Sequence, residues 1–309
     1  WCLICMHRVA DQIVEILEKA GVKRIYGIVG DSLNPVTDAL RRRKTIEWIH
    51  VRHEEVAAFA ASAEAQLSGN LAVCCGSSGP GNLHLINGLF DAHRNHAPVL
   101  AIASHIPQSQ VGMEYFQATH PEQLFKECSA YAELVSEASQ APSILMSAIQ
   151  HAWARRDVGV VVLPGDIADA PAEMKNLVHP PSYTRENVVP EHESVSLLAR
   201  MLDDHRRITF FCGAGCAGAE DKVVRLAHRL KAPIAYTWRG KDYFEHDNPL
   251  GIGMTGLLGW GDAYKAMHES DMLVLWGTDF PYFNFIPTKP EIVQIDRRGE
   301  VLGRRCRLD

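Results

Sequence analysis

The sequence has no long apolar run, no excess of basic charge and no repeated pair of closely spaced cysteines. No stretch approaches the roughly 18 apolar residues of a membrane-spanning helix, and the apolar stretch Trp1–Cys5 is far shorter than a signal-peptide core. A net charge of −6 supplies no positive field for nucleic acid. No low-complexity tract or short-period repeat occurs. Eight cysteines are present, but the Cys2–Cys5 spacing of a metal or redox pair is not followed by a second pair. Cys212 and Cys216 flank a glycine turn without a nearby histidine cluster. The cysteines therefore read as reduced, buried thiols of a cytoplasmic protein, and no metal site is assigned.

What is present is an ordinary globular composition, 47% hydrophobic and 22% charged over 309 residues, enough for about two domains. Short β-branched runs alternate with longer helical patterns. Strands are expected over 24–29, 45–51, 71–75, 99–103, 133–135 and 158–163. Helices are expected over 9–20, 33–42, 54–68, 81–94, 121–128 and 141–155, with Gly21 and Gly69 as stops. Five prolines between Pro164 and Pro190 mark a linker. A second set follows, with helices over 194–203, 219–230 and 257–268 and strands over 208–212, 233–236, 272–276 and 292–296. Strands apolar on both sides, alternating with helices, predict an α/β chain of two doubly wound parallel-sheet domains. The expected boundaries are 6–172 and 191–309, with 173–190 as the linker.

In such sheets ligands lie beyond the carboxyl ends of the strands. Gly30-Asp31-Ser32, Glu54, Gly76–Asn82 and Gly213-Ala214-Gly215 all fall there. Each glycine turn lets backbone amides approach a ligand, and the helix that follows favours negative charge. Taken one at a time these turns have a bland reading, since glycine at a strand–helix turn is common for steric reasons. Glu54 likewise reads either as a solvated first-turn carboxylate or as a site residue.

Taken together the segments resemble the thiamine-diphosphate-dependent pyruvate oxidases, on their flavin-bearing, quinone-reducing branch. The resemblance runs from about Val9 to the end, through Gly30–Asn34, Arg52-His53-Glu54-Glu55, Gly76–Asn82 and Tyr115–Pro121. It continues through Cys212–Gly218, Arg239-Gly240-Lys241, Gly253–Leu257 and Gly277–Tyr282. It implies a pyrimidine-binding domain for thiamine diphosphate followed by a Rossmann-like, FAD-binding middle domain. Glu54 matches the glutamate that hydrogen-bonds the aminopyrimidine ring, and Phe116 and Gln117 match positions lining the substrate and thiazolium. Ala118 departs from the acidic residue usual after that glutamine. Gly30, Ser32, Gly79, Pro80, Gly81 and Asn82 are the implied thiamine-side contacts. Gly213, Gly215, Thr255, Gly256, Leu257, Leu258, Thr278, Asp279, Phe280, Pro281, Tyr282 and Asp296 are the implied flavin contacts.

The implied reaction takes pyruvate, or another small 2-keto acid, to acetate and carbon dioxide, with electrons passing through FAD to a quinone. The resemblance also implies a homo-oligomer, a tetramer in the family, peripheral at the inner face of the cell membrane in its full-length form. Mg²⁺ is implied only through a third domain, whose signature is Gly-Asp-Gly followed further on by Asn. The three Gly-Asp dipeptides here, at 30, 165 and 261, are followed by Ser, Ile and Ala. The chain is therefore expected to be a truncated form, ending inside the middle domain and inactive alone. The alternatives are an acetolactate synthase-like carboligase and a non-catalytic flavin- or partner-binding module.

Overall fold

The computed structural model describes residues 7–172, 181–182, 187–259 and 261–309. The Cys2–Cys5 pair and most of the expected linker lie outside the described residues. The chain divides into two compact units, Trp1–Arg185 and Glu186–Asp309.

In the first unit the helices are α1 (Val9–Lys19), α2 (Asn34–Arg43), α3 (Glu54–Ser68), α4 (Pro80–Arg94), α5 (Pro121–Leu124), α6 (Ala141–Arg155) and α7 (Gly165–Asp169). The strands are β1 (Arg24–Gly27), β2 (Glu47–His50), β3 (Ala72–Gly76), β4 (Val99–His105), β5 (Tyr131–Leu134) and β6 (Val158–Pro164). All strand pairs are parallel, in the order β2-β1-β3-β4-β6-β5. The central strands β3, β4 and β6 are buried along their whole length, while the edges β2 and β5 are half-exposed. That follows from a sheet with helices on both faces. Val73 and Cys75 point into the core with α1, α2 and α6, whereas Ala72 and Cys74 point into the core with α3 and α4. This alternation is the period of two of a pleated strand.

The second unit adds α8 (His192–Asp204), β7 (Ile208–Cys212), α9 (Glu220–Leu230), β8 (Ile234–Tyr236) and α10 (Lys241–Phe244). It ends with β9 (Gly251–Met254), α11 (Asp262–Glu269), β10 (Met272–Trp276) and β11 (Glu291–Ile295), in the parallel order β11-β10-β7-β8-β9. Phe210 and Phe211 at the sheet centre face opposite cores.

Three expectations are corrected. The helix expected over 257–268 begins only at Asp262, because Gly256 and Gly261 both hold positive φ, and Gly256 bridges to Gly259. A helix cannot run through such residues. The helix expected over 121–128 breaks into α5 and a 3-10 turn at Lys126–Cys128. Strand β9 was not expected at all. Its Gly251 and Gly253 interrupt the apolar pattern, and its pairing with β8 is irregular.

The contact between α3 and α4 has no room for another methyl group. A Cβ on Gly88 would lie 2.5 Å from the Ala58 Cβ and 2.8 Å from the Phe59 nitrogen. Ala57, Ala58, Ala61 and Ala65 form the buried face that makes this approach possible. Gly88→Val should therefore destabilise the first unit by about 1–3 kcal/mol through overpacking. Urea unfolding would measure this, and an unchanged midpoint would show that the helices separate freely.

Candidate active site

The chain reverses its direction across the first sheet between β1 and β3, so their loops open at one crevice. The loop after β1 carries Gly30, Asp31 and Ser32; the loop after β3 runs from Ser77 to Gly79 and enters α4. They are fastened together. Ser32 Oγ lies 3.2 Å from Ser77 Oγ and accepts the Ser78 N–H at 3.1 Å. A Cβ on Gly30 would fall 2.4 Å from Ser77 Oγ, so only glycine fits. At Gly79, φ is +70° and a Cβ would meet Gln117 at 3.1 Å, while the Gln117 side chain donates to the Ser78 carbonyl at 3.3 Å.

Glu54 opens α3, and its side chain turns inward, leaving the residue only 7% exposed. Gly81, in the first turn of α4, makes space for it: a Cβ there would lie 3.1 Å from Glu54 Oε1. The carboxylate thus sits at two helix N-termini, where the dipoles favour negative charge. Its other oxygen is 3.0 Å from His84 Nδ1. The His84 ring stacks on His53 with centroids 4.2 Å apart, and His53 Nδ1 accepts the Glu55 N–H. Potential ligand atoms of His53, Glu54 and His84 all lie within 4.8 Å of one another. No sequence spacing announced this trio, because His84 reaches Glu54 only through the packing of α4 on α3. Asn82 is fully buried; its amide donates to the Ser104 carbonyl at 2.7 Å, and its Oδ1 makes no hydrogen bond to any described residue.

Phe116 lies on the surface, 83% exposed, stacked obliquely on Tyr115. His93 pairs with Asp157 at 2.7 Å as a helix-end histidine away from Glu54. A half-open pocket of about 140 Å³ is lined in part by Asp31, Ser32, Ser78, His105, Gln117 and Asp166. His105, the last residue of β4, is 4% exposed and was not singled out in the sequence. Burial lowers its pKa, with a weaker opposing effect from the Glu122 charge, so it is neutral at pH 7.

The second unit repeats the design. Its crevice opens between β7 and β10. Gly215 N–H donates to the Gly277 carbonyl at 2.9 Å, and a Cβ on Gly213 would strike that oxygen at 2.5 Å. Thr278 is buried beside them, and its carbonyl accepts the Gln294 amide. Thr255 is also buried, and its hydroxyl has no hydrogen-bond partner among the described residues. Phe280 packs edge-on between Phe211 and Tyr282, and a Cβ on Gly256 would meet its ring at 2.8 Å. Leu257 and Leu258 are exposed in the turn that follows, and Pro281 is exposed too. Asp279 is held by Arg304 and Arg305, each at 2.9 Å. Asp296 accepts the Arg298 N–H at 2.9 Å.

The first unit matches the N-terminal TPP-binding domain of thiamine pyrophosphate enzymes over residues 7–125, and the second matches their central domain over 195–309. An uncharacterised 42.6 kDa protein of Pseudomonas amyloderamosa, encoded in the isoamylase 3′ region, is 57% identical over 98% of this chain and 76% of its own length. The putative thiamine pyrophosphate-containing protein YdaP of Bacillus subtilis is 35% identical over 97% of this chain. The pyruvate oxidase of Lactiplantibacillus plantarum is 32% identical over 96%. Acetolactate synthases are further relatives, at 27–30% identity. The chain belongs to the thiamine pyrophosphate enzyme family. It spans about half the length of YdaP and of the pyruvate oxidase.

Two outcomes follow from the geometry. In a double-mutant cycle of Glu54→Gln and His84→Ala, the pair should show a coupling of about 0.5–3 kcal/mol in urea unfolding; zero coupling would mean that the contact contributes nothing. His105, with its folded pKa below the unfolded value, contributes stability that is complete above about pH 6.5 and is lost as pH falls through the folded pKa. Unfolding midpoints between pH 7.5 and about pH 5 should therefore decline less steeply in His105→Gln.

Proposed function

We propose that this chain is the thiamine- and flavin-binding part of a pyruvate oxidoreductase that converts pyruvate to acetate and carbon dioxide and passes two electrons through FAD to a quinone. The observation that carries this reading is Glu54, buried at two helix N-termini and held by His84, with one oxygen facing a glycine. The thiamine side fits the residues present: Gly79 and Gly81 leave room where a Cβ would intrude, and Asn82 Oδ1 lacks a partner among the described residues. In the second unit the glycine crevice and the Thr255 hydroxyl, which has no partner among the described residues, fit a dinucleotide.

Bound thiamine diphosphate would supply the electron sink for decarboxylation. Glu54 would hold the hydrogen bond to the aminopyrimidine ring, with His84 fixing the carboxylate so that one oxygen remains available. Gln117, pinned on the Ser78 carbonyl, would orient the keto acid. The Gly215–Gly277 contact would bring backbone close to the flavin's diphosphate. The diphosphate of thiamine and its Mg²⁺ would be held by a further domain, and homo-oligomerisation would complete the site. The Tyr115-Phe116-Gln117 segment followed by Thr119-His120-Pro121 supports the oxidase reading. The acetolactate synthase relatives support a second one, in which the same activated fragment is added to a second keto acid.

The visible absorbance of the purified chain should show a flavin band at one equivalent; a colourless protein would count against the oxidase reading. In the enzyme carrying all its domains, Glu54→Gln should slow flavin bleaching by pyruvate about 10²–10⁴-fold. Labelled pyruvate should end in acetate; acetolactate would decide for the carboligase.

A further inference from the structure

Three side chains at the start of α3 and α4 carry donors that the thiamine reading uses only in part. Potential ligand atoms of His53, Glu54 and His84 lie within 4.8 Å of one another. Two imidazoles and one carboxylate are a donor set that zinc accepts, with a further position left to water.

One pair already has the spacing of two ligands on a single ion. Glu54 Oε2 and His84 Nδ1 are 3.0 Å apart, and zinc with bonds of about 2.1 Å sets its ligands roughly 3–3.5 Å apart. An ion there takes the place of the proton that these two atoms share, which leaves to solvent. Glu54 is the fixed anchor of the set, since the residue is only 7% exposed. The histidines are its opposite: their side chains are 46% and 43% exposed, so an ion reaches them directly from solvent.

His53 must turn to complete the set. Its ring is stacked on His84 with a tilt of 26°, and a metal in the plane of one stacked ring lies outside the plane of the other. Little holds it there, because the hydrogen bond from the Glu55 N–H to its Nδ1 is long, at 3.3 Å. An outer partner is at hand for the turned ring. Glu55 Oε2 lies 3.8 Å from His53 Nδ1, and the other Glu55 oxygen accepts the Asn87 amide. With the Nδ1 proton donated to Glu55, Nε2 is the ligand atom; a carboxylate behind a histidine behind a zinc ion is the arrangement that fixes such rings.

We propose that His53, Glu54 and His84 form a binding site for a late first-row divalent ion such as Zn²⁺, and that this ion and thiamine diphosphate weaken each other's binding. The antagonism rests on the role given to Glu54 above. A cation on Oε2 draws charge from the carboxylate and weakens the hydrogen bond made at its other oxygen. Imidazole nitrogens suit zinc, nickel and copper, whereas Mg²⁺ prefers oxygen ligands and keeps its water.

The test titrates Zn²⁺ into the 309-residue chain by calorimetry, in a Cys2→Ser, Cys5→Ser background that removes the N-terminal cysteine pair as a competitor. One equivalent should bind, undisturbed by millimolar Mg²⁺. His84→Gln, and His53→Asn, which keeps a cap acceptor at the start of α3, should each weaken that binding about 10-fold or more, at least the loss expected for a mere partner of a ligand. Both positions are exposed, so neither change threatens folding. No bound zinc, or equal binding in the variants, would overturn the site. In the enzyme carrying all its domains, with Mg²⁺ present, saturating thiamine diphosphate should raise the Kd for Zn²⁺ about 10-fold, and Zn²⁺ should raise that for thiamine diphosphate by the same factor. Independent binding of the two would overturn the antagonism. Thiamine diphosphate that does not bind at all sinks the reading of Glu54 and the antagonism with it, while the titration of the shorter chain decides the zinc site on its own.

Discussion

The close approach of α3 to α4 is the constraint on which the candidate site depends. Gly88 lies against Ala58, and Gly81 lies against the Glu54 carboxylate one and a half to two turns earlier on the same helix. Because the helices touch backbone to side chain, the first turn of α4 is held beside the first residue of α3. This proximity buries Glu54, brings His84 to it, and places two helix dipoles on one carboxylate. A wider helix pair would leave Glu54 in water, with nothing to distinguish it from the adjacent Glu55.

The two units use one solution to bring loops together. In each, a parallel sheet reverses its winding, and the loops at the reversal carry glycines pressed against the neighbouring loop. Gly30 meets Ser77 in the first unit, and Gly213 and Gly215 meet Gly277 in the second. Parallel strands make this necessary, because all their carboxyl ends lie on one side and the crevice there is the natural opening. The glycines are thus required for loop packing whatever ligand the crevice accepts. Their presence in the sequence was accordingly compatible with both the steric and the ligand-binding reading.

Much of the architecture was legible. Helices α3 and α6 and strands β7 and β10 have the limits that their apolar patterns indicate, since long periodic segments bounded by glycine or polar residues leave little choice. Reading failed where glycine overrode the pattern. The residues from 257 onward have helical spacing, yet Gly256 and Gly261 turn the chain before α11 can start. Strand β9 was hidden for the converse reason: its pairing to β8 stabilises a glycine-rich segment that has little strand preference of its own. Among site residues, Glu54 and Gln117 were visible through a family resemblance. His84 and His105 were not, since a lone histidine in an apolar segment carries no signal by itself.

The sequence by itself determined the class of fold, the division into two α/β units, the run of glycine turns at strand ends, and the family. These are properties of local pattern, and neighbours along the chain are enough to express them. Only the tertiary structure decided which side chains meet, Glu54 with His84 and Asp279 with Arg304 and Arg305, and left His105 Nδ1 buried without a hydrogen-bond partner among the described residues. Those contacts join residues from about 25 to several tens of positions apart, so their geometry depends on how helices pack on sheets. Burial then sets the chemistry. The same imidazole that would be half-protonated near pH 6.5 in water is kept neutral at the end of β4, because the fold removes the solvent that would stabilise its charge.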